Sequence, residues 1–450
     1  MSKIPTDLTR HALNGPTMGA RWSALFDAPA VADPKPILAA LAESVDLVDR
    51  QMSTWKPDSD LMRLSAAPVG TWVSVPSELM VVLAKGLEIG RLSDGAFDIG
   101  MGDVVTAWGF GPSAADPRAI RAALGQVCTP THDILELDPD LLQARKLAPL
   151  SLDLSGIAKG YAVDRMMAVL EGFEIADALV GLDGELRGCG VRPDGQPWTV
   201  AIERPDYVTR APLSMIELAD AAIATSGDYR HWVEAGGKRF SHTMDRVHGG
   251  PLGESPASVT ILAKTCMEAD AWATAFMVAG QQANMEWTKS MGLNAIFVHR
   301  DRSEFRQAYI RGADDRPPPR GLDISQVPKL LVDLLGLLGL ELAARRKALG
   351  LEQRELAIAR CLARMTPEAI LKVFLDLLTA AQIAHQCSAD PDHVFAHRFG
   401  EEHCVEGRDS LNLSSGQPEP LRGPCDHLRG DPSVLLLANP QRRQQSRAGG

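Results

Sequence analysis

Three short motifs carry residue types that can handle a phosphate, a metal ion or a proton. The first is DLSGIAKGYAVD (153–164), where small residues such as Gly156 and Gly160 let a ligand approach the backbone at a helix start. Peptide N–H groups and the helix dipole favour a phosphate at such a place. Lys159 would add a positive charge there, and Asp153 would accept a hydrogen bond from a sugar or base. The alternative is a glycine-rich turn with a surface lysine.

The second motif, EADAWAT (268–274), suits a metal ion. Asp270 and Thr274 are four residues apart, so on a helix their oxygens share one face. A carboxylate, a hydroxyl and a nearby backbone carbonyl form the hard oxygen set that Mg²⁺ accepts alongside waters and phosphates. The alternative is the first turn of a helix with a capping Asp.

The third motif offers a proton acceptor. IATSGDYRHW (223–232) is followed by RFSHTMD (239–245), in which His242 precedes Asp245 by three residues. With an ordinary pKa near ~6.5, a histidine is the natural general base at neutral pH. A structural histidine is the alternative.

A fourth group of motifs lies nearer the N-terminus: PTMGA (16–20), MSTWKPDSDL (52–61) and GAFDIGMGDVVTAWGFGP (95–112). The indole of Trp55 and the thioether of Met18 would clamp a flat ring between them. Each of these residues is also typical of an ordinary core.

The helices and strands that must position these motifs form one domain of mixed α and β structure over residues 1–315. Apolar residues at helical spacing predict helices at 34–53, 76–93, 155–173 and 268–280, the last closed by Gly280. β-Rich runs bounded by Gly, Pro or Asp predict strands at 71–75, 197–203, 257–263 and 294–300.

The C-terminal third differs from the rest of the chain in its amino-acid composition. Three consecutive prolines in RPPPR mark a boundary, because they continue neither a helix nor a ladder. We expect a Pro-rich linker at 316–324 and a Leu/Ala-rich helical appendage at 325–386. Residues 387–450 are rich in Pro, Gly, Arg and Ser without a sustained period, and we expect a disordered tail there.

Composition excludes some functions. The formal net charge is −11 and aromatic residues are 5% of the 450, which argues against a general nucleic-acid-binding role. No apolar run approaches the ~20 residues that cross a bilayer. The N-terminus as written shows no apolar signal core, so we expect a cytoplasmic protein, or an exported one if the true N-terminus is missing. Seven scattered cysteines are typical of reduced thiols.

Taken in order from about Pro16 to Phe297, the motifs resemble the FAD:protein FMN transferase family, the ApbE-like flavin transferases. The resemblance rests on TMGA, MSTW with DSDLMRL, GAFD with WGFGP, DLSGIAKGYAVD, ATSGDYR, SHTMD and ADAWAT. It implies an α+β fold of two packed α/β lobes with FAD in the cleft between them. Residues 320–450 lie outside the resemblance.

The resemblance also implies roles for individual residues. His242 matches the catalytic histidine of the family, and the metal positions fall on the carbonyl of Gly156 and the side chains of Asp270 and Thr274. The FAD contacts fall on Met18, Trp55, Ala96, Phe97, Asp98, Asp153, Lys159 and Met244. Trp55 replaces the usual Tyr, and the family's H-x-x-D-P-x-T-G reads HTMDRVHG at 242–249, without the Pro and Thr.

The activity so implied is a Mg²⁺-dependent transfer of FMN from FAD onto a Thr or Ser hydroxyl of a target flavoprotein, with release of AMP. The acceptor would be a subunit of a redox complex or a flavin-dependent reductase. Two alternatives share the same residues: a Mg²⁺-dependent FAD pyrophosphatase, in which water replaces the protein hydroxyl, and a non-catalytic FAD-binding assembly factor.

Overall fold

The computed structural model describes residues 8–29, 33–124, 129–235, 238–253, 256–301, 304–312, 320–321 and 436–437. The predicted linker, helical appendage and tail fall outside these residues, apart from the two short stretches at 320–321 and 436–437. Those three predictions therefore stay predictions.

The described strands and helices alternate irregularly along the chain. The strands are β1 (Leu8–Thr17), β2 (Ala20–Pro29), β3 (Val73–Ser74), β4 (Leu135–Asp138), β5 (Gln143–Lys146), β6 (Ala178–Leu182), β7 (Glu185–Cys189), β8 (Trp198–Glu203), β9 (Pro212–Leu218), β10 (Ala221–Gly227), β11 (Trp232–Ala235), β12 (Lys238–Ser241), β13 (Met244–Asp245), β14 (Gly250–Pro251), β15 (Ser258–Ala263), β16 (Asn294–Asp301), β17 (Glu304–Ile310), β18 (Arg320–Gly321) and β19 (Leu436–Leu437). The helices are α1 (Lys35–Met52), α2 (Asp60–Ala66), α3 (Ser77–Leu92), α4 (Gly102–Ala107), α5 (Pro117–Ala123), α6 (Thr131–Ile134), α7 (Ala158–Gly172) and α8 (Cys266–Met291).

The main sheet has eight strands in the order β1-β2-β6-β7-β10-β15-β16-β17. Every neighbouring pair in it is antiparallel. Helices α7 and α8 pack against its strands and against each other, and α1 packs on α7. An antiparallel sheet with helices on it is the predicted α+β class, which is confirmed.

Smaller sheets flank this arrangement. One has the order β3-β5-β4 and another the order β18-β9-β8-β19, while β11–β12 and β13–β14 are separate two-stranded hairpins. A shared apolar core joins the helices to the main sheet, and its largest fully buried side chains include Trp22, Phe26, Phe276 and Phe297.

The helices predicted from periodicity are present with small shifts. The 34–53 prediction matches α1 and the 76–93 prediction matches α3. Gly280, with a positive φ of 72°, interrupts α8 where the predicted helix ends, but helical residues continue beyond it to Met291. Among the described helices, none is both long and apolar enough to cross a membrane.

Candidate active site

The two motifs predicted to bind a metal meet where α7 begins and the first turns of α8 pass it. Gly156 lies in the turn before α7, and Thr274 lies on α8. A Cβ at Gly156 would stand 3.0 Å from Thr274 Oγ1 and 3.3 Å from the ring of Phe97. The absence of a side chain at Gly156 is therefore what lets the backbone approach Thr274 this closely. Ser226 of β10 also contacts Thr274, with its Oγ 3.1 Å from Thr274 Oγ1.

Asp270 lies one helical turn before Thr274 and is 4% exposed. Its Oδ2 accepts a hydrogen bond from the backbone N–H of Gly160 at 3.0 Å. Gly160 is in the first turn of α7, where N–H groups have no partner within their own helix. The carboxylate of one helix thus satisfies a free N–H group of the other.

Lys159 is an ion-paired residue rather than a surface lysine. Its Nζ lies 2.6 Å from Glu185 Oε1 and 3.7 Å from Asp183 Oδ2. The side chains of Asp183 and Glu185 are 1% and 3% exposed. These neighbouring carboxylates raise the pKa of Lys159 against the opposing effect of burial, which is the largest single influence. Lys159 stays protonated at any physiological pH.

The electrostatics around Asp270 favour a cation. Burial, together with the nearby carboxylates of Glu185 and Asp183, raises the pKa of Asp270 to about 8 against the opposing effects of Lys159 and the Gly160 N–H. Three carboxylates face a single ammonium here, so a divalent cation would replace the proton on Asp270 and favour its ionised form.

The donor set fits Mg²⁺ better than a softer metal. Among the described residues, no group of three or more His, Cys, Asp or Glu side chains is arranged to hold a metal ion. A cation here would have one carboxylate, one hydroxyl and one backbone carbonyl as protein ligands. Mg²⁺ accepts such an oxygen-only set, because it keeps waters and substrate phosphates as its other ligands.

His242 follows directly after β12 and is fixed by a backbone carbonyl. The oxygen of His231 accepts the His242 backbone N–H at 3.1 Å and lies 3.3 Å from His242 Nδ1. With Nδ1–H donating to this carbonyl, Nε2 carries the lone pair that accepts a proton. The rings of His231 and Phe110 contact His242 edge-on, at centroid distances of 5.2 and 6.3 Å.

The pKa of His242 is shifted downward. Burial, with smaller contributions from His231 and from the positive charge of Lys159, lowers it to about 3. The imidazole is therefore neutral at neutral pH. Lys159 also lowers the pKa of Asp270, so a single ammonium links the predicted base to the predicted metal position.

The predicted flavin contacts of the GAFD segment lie in a tight turn after α3. Asp94 and Gly95 both have positive φ, at 51° and 73°, and Ser93 Oγ accepts the N–H of Phe97 at 3.0 Å. Ala96 donates its N–H to the carbonyl of Ser93 at 3.0 Å. This turn places Phe97 against Gly156.

Asp98 organises the loop that follows the turn. Its Oδ1 accepts from the Gly100 N–H at 2.7 Å and from the Thr131 hydroxyl, and its Oδ2 accepts from the Thr131 N–H at 3.1 Å. Asp153 is similar, because its Oδ1 accepts the N–H of Ser155 at 2.8 Å. Both carboxylates hold the backbone around the predicted site.

Met18 and Trp55 occupy contrasting places. Met18 and Gly19 are the two residues between β1 and β2, with φ of 45° and 68°. Positive φ at both positions matches the twist of a two-residue hairpin, although it is uncommon for Met. Met18 packs on the edge of the core, whereas Trp55 is 59% exposed.

Comparison with known proteins identifies the family to which this chain belongs. The model of the ApbE family matches residues 18–297 of this chain. The chain belongs to the ApbE family. The FAD:protein FMN transferase of Vibrio cholerae is 33% identical over 304 residues, which are 66% of this chain and 89% of that protein. The FAD:protein FMN transferase of Escherichia coli K12 is 31% identical over 300 residues, which are 65% of this chain and 85% of that protein.

Solved ApbE structures agree with this assignment. The flavin transferase ApbE of Vibrio cholerae has a TM-score of 0.60 and 31% identity, covering 67% of this chain and 97% of that one. The apo form of the flavinyl transferase ApbE of Pseudomonas stutzeri has a TM-score of 0.60 and 31% identity, covering 69% and 96%.

The loop in which this ApbE chain departs from its family pattern forms a compact hairpin. Met244–Asp245 pairs with Gly250–Pro251, and Met244 packs in a small apolar cluster with Trp108. Asp245 Oδ1 accepts the N–H of Val247 at 2.8 Å, which closes the turn without the family's Pro and Thr.

Arg246 stands where the family has proline, and it joins this hairpin to the GAFD turn. Its Nε lies 3.7 Å from Asp98 Oδ2. A Cβ at Gly95 would meet the Arg246 guanidinium at 2.7 Å, so the guanidinium packs directly against the Gly95 backbone. The substitution replaces the rigidity of proline with a contact between two segments of the site.

Sequence reasoning missed four residues that shape this site. They are Asp183, Glu185, Ser226 and His231. The two acidic residues did leave a signal, since Asp183 and Gly184 form a two-residue connection of the Asp-Gly type between β6 and β7. His231 fixes His242 through its backbone carbonyl, which carries no signal in the side-chain pattern.

Proposed function

We propose that this chain is a Mg²⁺-dependent FAD:protein FMN transferase, which moves FMN from FAD onto a Ser or Thr hydroxyl of an acceptor flavoprotein and releases AMP. The family assignment supports this activity. The observation that carries it is the meeting of Gly156, Asp270 and Thr274 at the contact of α7 with α8, next to the Lys159 charge that also acts on His242.

The reaction exchanges one phosphorus–oxygen bond for another. The acceptor hydroxyl oxygen bonds to the FMN-side phosphorus of FAD, and its proton passes to His242 Nε2. The bond from that phosphorus to the bridging oxygen breaks, and the bridging oxygen leaves with its electron pair as part of AMP. FMN stays on the acceptor through a phosphoester.

His242 is suited to this proton transfer. The carbonyl of His231 fixes the ring and its tautomer, so Nε2 is left as the acceptor. Because its pKa is lowered, the ring enters the reaction neutral at pH 7. A positioned base of this kind contributes about 10²- to 10⁴-fold in rate.

The carbonyl of Gly156 and the side chains of Asp270 and Thr274 would hold the metal. When bound, Mg²⁺ supplies neutralisation of the charge that develops on the pyrophosphate oxygens. The protein prepares this position in advance, because Gly160 orients the Asp270 carboxylate and Ser226 contacts the Thr274 hydroxyl. Such prepared electrostatics account for most of the catalysis in phosphoryl transfer.

The test incubates the full chain with FAD, Mg²⁺ and a flavoprotein domain that carries an acceptor Thr. We expect in-gel flavin fluorescence on the acceptor together with AMP release. The matched controls are FMN as donor, which has no pyrophosphate, and an acceptor whose Thr is replaced by Ala. AMP release with no labelled acceptor would instead establish the hydrolase, and FAD binding with neither product would establish an assembly factor.

A further inference from the structure

A repeated four-residue spacing joins α7 to α8. Gly156, Gly160 and Asp164 follow one another at intervals of four along one segment, and Thr274, Asp270 and Cys266 do so along the other in the opposite direction. Residues four apart share a helix face, so Gly160 and Asp164 lie together on α7, and Gly156 precedes them in the turn before that helix. The two segments meet residue for residue: Gly156 approaches Thr274, and Gly160 bonds to Asp270.

Asp164 completes this match at its far end. Its Oδ1 accepts the N–H of Cys266 at 2.9 Å, and its Oδ2 accepts the N–H of Met267 at 2.9 Å. These are the first two N–H groups of α8, which have no partner within their own helix. A carboxylate at a helix N-terminus also interacts favourably with the helix dipole.

The two helices therefore cap each other. Asp270 of α8 accepts a first-turn N–H of α7, and Asp164 of α7 accepts the first two N–H groups of α8. The close approach requires Gly160, because a Cβ there would lie 2.3 Å from the carbonyl oxygen of Cys266. Sliding either helix along the other would break all three hydrogen bonds together.

Strand β7 anchors both ends of this contact to the sheet. Arg187 Nη1 lies 2.7 Å from Asp164 Oδ1, and two residues earlier Glu185 pairs with Lys159. Residues two apart on a strand point to the same face. One face of β7 thus contacts both Asp164 and Lys159, the residue before Gly160.

We propose that Asp164 is a positioning residue of the metal site, which sets the register of α7 against α8 so that Gly156, Asp270 and Thr274 arrive together. This inference rests on the metal position of the proposed function. Asp164 itself is engaged with Cys266, Met267 and Arg187, so it acts through the helices.

The test compares Asp164→Asn with Thr265→Ala in the full chain. Asn keeps the shape of Asp but turns one acceptor into a donor. Thr265 is the N-cap of the same helix, where its Oγ accepts the N–H of Glu268 at 3.3 Å, so its replacement weakens α8 without touching α7. Two measurements test the register in each variant, hydrogen exchange of the Gly160 amide and Mg²⁺ affinity by calorimetry without FAD, and the melting temperature reports its stability.

We expect Asp164→Asn to speed exchange of the Gly160 amide and to weaken Mg²⁺ binding by about 10- to 100-fold, the usual effect of removing an outer support of a metal site. Thr265→Ala should lower the melting temperature while leaving both measurements near wild type. If Asp164→Asn lowers the melting temperature but leaves Gly160 exchange and Mg²⁺ affinity as in Thr265→Ala, the positioning role is overturned.

Two further experimental outcomes also decide the question. If the wild type binds no Mg²⁺, the metal assignment fails, and Gly160 exchange alone decides whether Asp164 sets the register. If Asp164→Asn does not fold, Asp164→Glu is measured in the same way. Faster exchange and weaker Mg²⁺ binding in that variant support the register, and wild-type values overturn it.

Discussion

Lys159, in the first turn of α7, has its Nζ 2.6 Å from Glu185 Oε1. The lysine pairs with two buried carboxylates, those of Glu185 and Asp183. Its side chain is therefore held in place, and its charge acts on the site from a fixed position. The same charge lowers the pKa values of both Asp270 and His242. A flexible surface lysine would be screened by water and would have neither effect.

Replacing Lys159 with Met should destabilise the fold. The carboxylates of Asp183 and Glu185 would stay buried without their ammonium, and breaking a buried pair in this way costs about 3–5 kcal/mol. The free energy of unfolding in urea measures this loss. The double variant Lys159→Met with Glu185→Gln should recover part of it, and equal stability of the single and double variants would show that the pair is not coupled.

A series at Thr274 tests its hydroxyl as a ligand. Thr274→Val keeps the shape and removes the hydroxyl, so we expect the Mg²⁺ concentration for half-maximal transfer to rise by roughly tenfold. Thr274→Ser keeps the hydroxyl and should stay within a few-fold of wild type. Equal effects of Val and Ser would mean that packing, rather than the hydroxyl, is what matters at this position.

A pair of substitutions at Trp55 tests its predicted stacking on the flavin. Trp55→Ala should weaken FAD binding, measured by flavin fluorescence, whereas Trp55→Tyr keeps an aromatic face and should stay within a few-fold. Trp72→Ala is a matched control, since Trp72 is also a surface indole but stacks with the Arg145 guanidinium, 4.5 Å from its ring centroid. Similar losses with Ala and Tyr at Trp55 would rule out stacking.

Replacing His242 should change both the transfer rate and the pH dependence of the free energy of unfolding. His242→Gln should keep FAD binding and lose at least ~10²-fold in transfer rate. In the folded protein its pKa lies near 3, below the ~6.5 of the unfolded chain, so only the unfolded chain takes up a proton between these values. Stability from this group is complete above about pH 6.5 and is lost as the pH falls toward 3.

Urea unfolding at several pH values checks the stability half of this prediction. The wild type should lose more stability than His242→Gln when the pH falls from about 7.5 to 5. Parallel losses in the two proteins would show that His242 is accessible to protons in the folded state.

The sequence predicted the local elements of the site better than its long-range contacts. Asp270 and Thr274 share a helix face because their spacing requires it, and the structure has them on α8 as expected. The helix that begins within DLSGIAKG starts at Ala158 instead of 155, because residues 155–157 form a turn. That turn leaves Gly156 outside the helix, against Thr274.

The sequence pattern gives weaker evidence for the contacts between segments that are distant along the chain. The pairing of Lys159 with Glu185 depends on β7 lying under α7, and the contact of Arg246 with Asp98 depends on a hairpin meeting a turn far away in the chain. Motif spacing describes neighbours along one helix or strand. It does not describe which elements pack together, and that packing sets the charge around Asp270.

The ratio of AMP released to FMN bound covalently on the acceptor, compared between wild type and Asp270→Ala, tests the proposed activity most directly. The transferase predicts a ratio of one at every time point in the wild type, and neither product with Asp270→Ala at the same Mg²⁺ concentration. AMP in large excess over bound FMN, or an Asp270→Ala enzyme with wild-type rate and Mg²⁺ dependence, would contradict it.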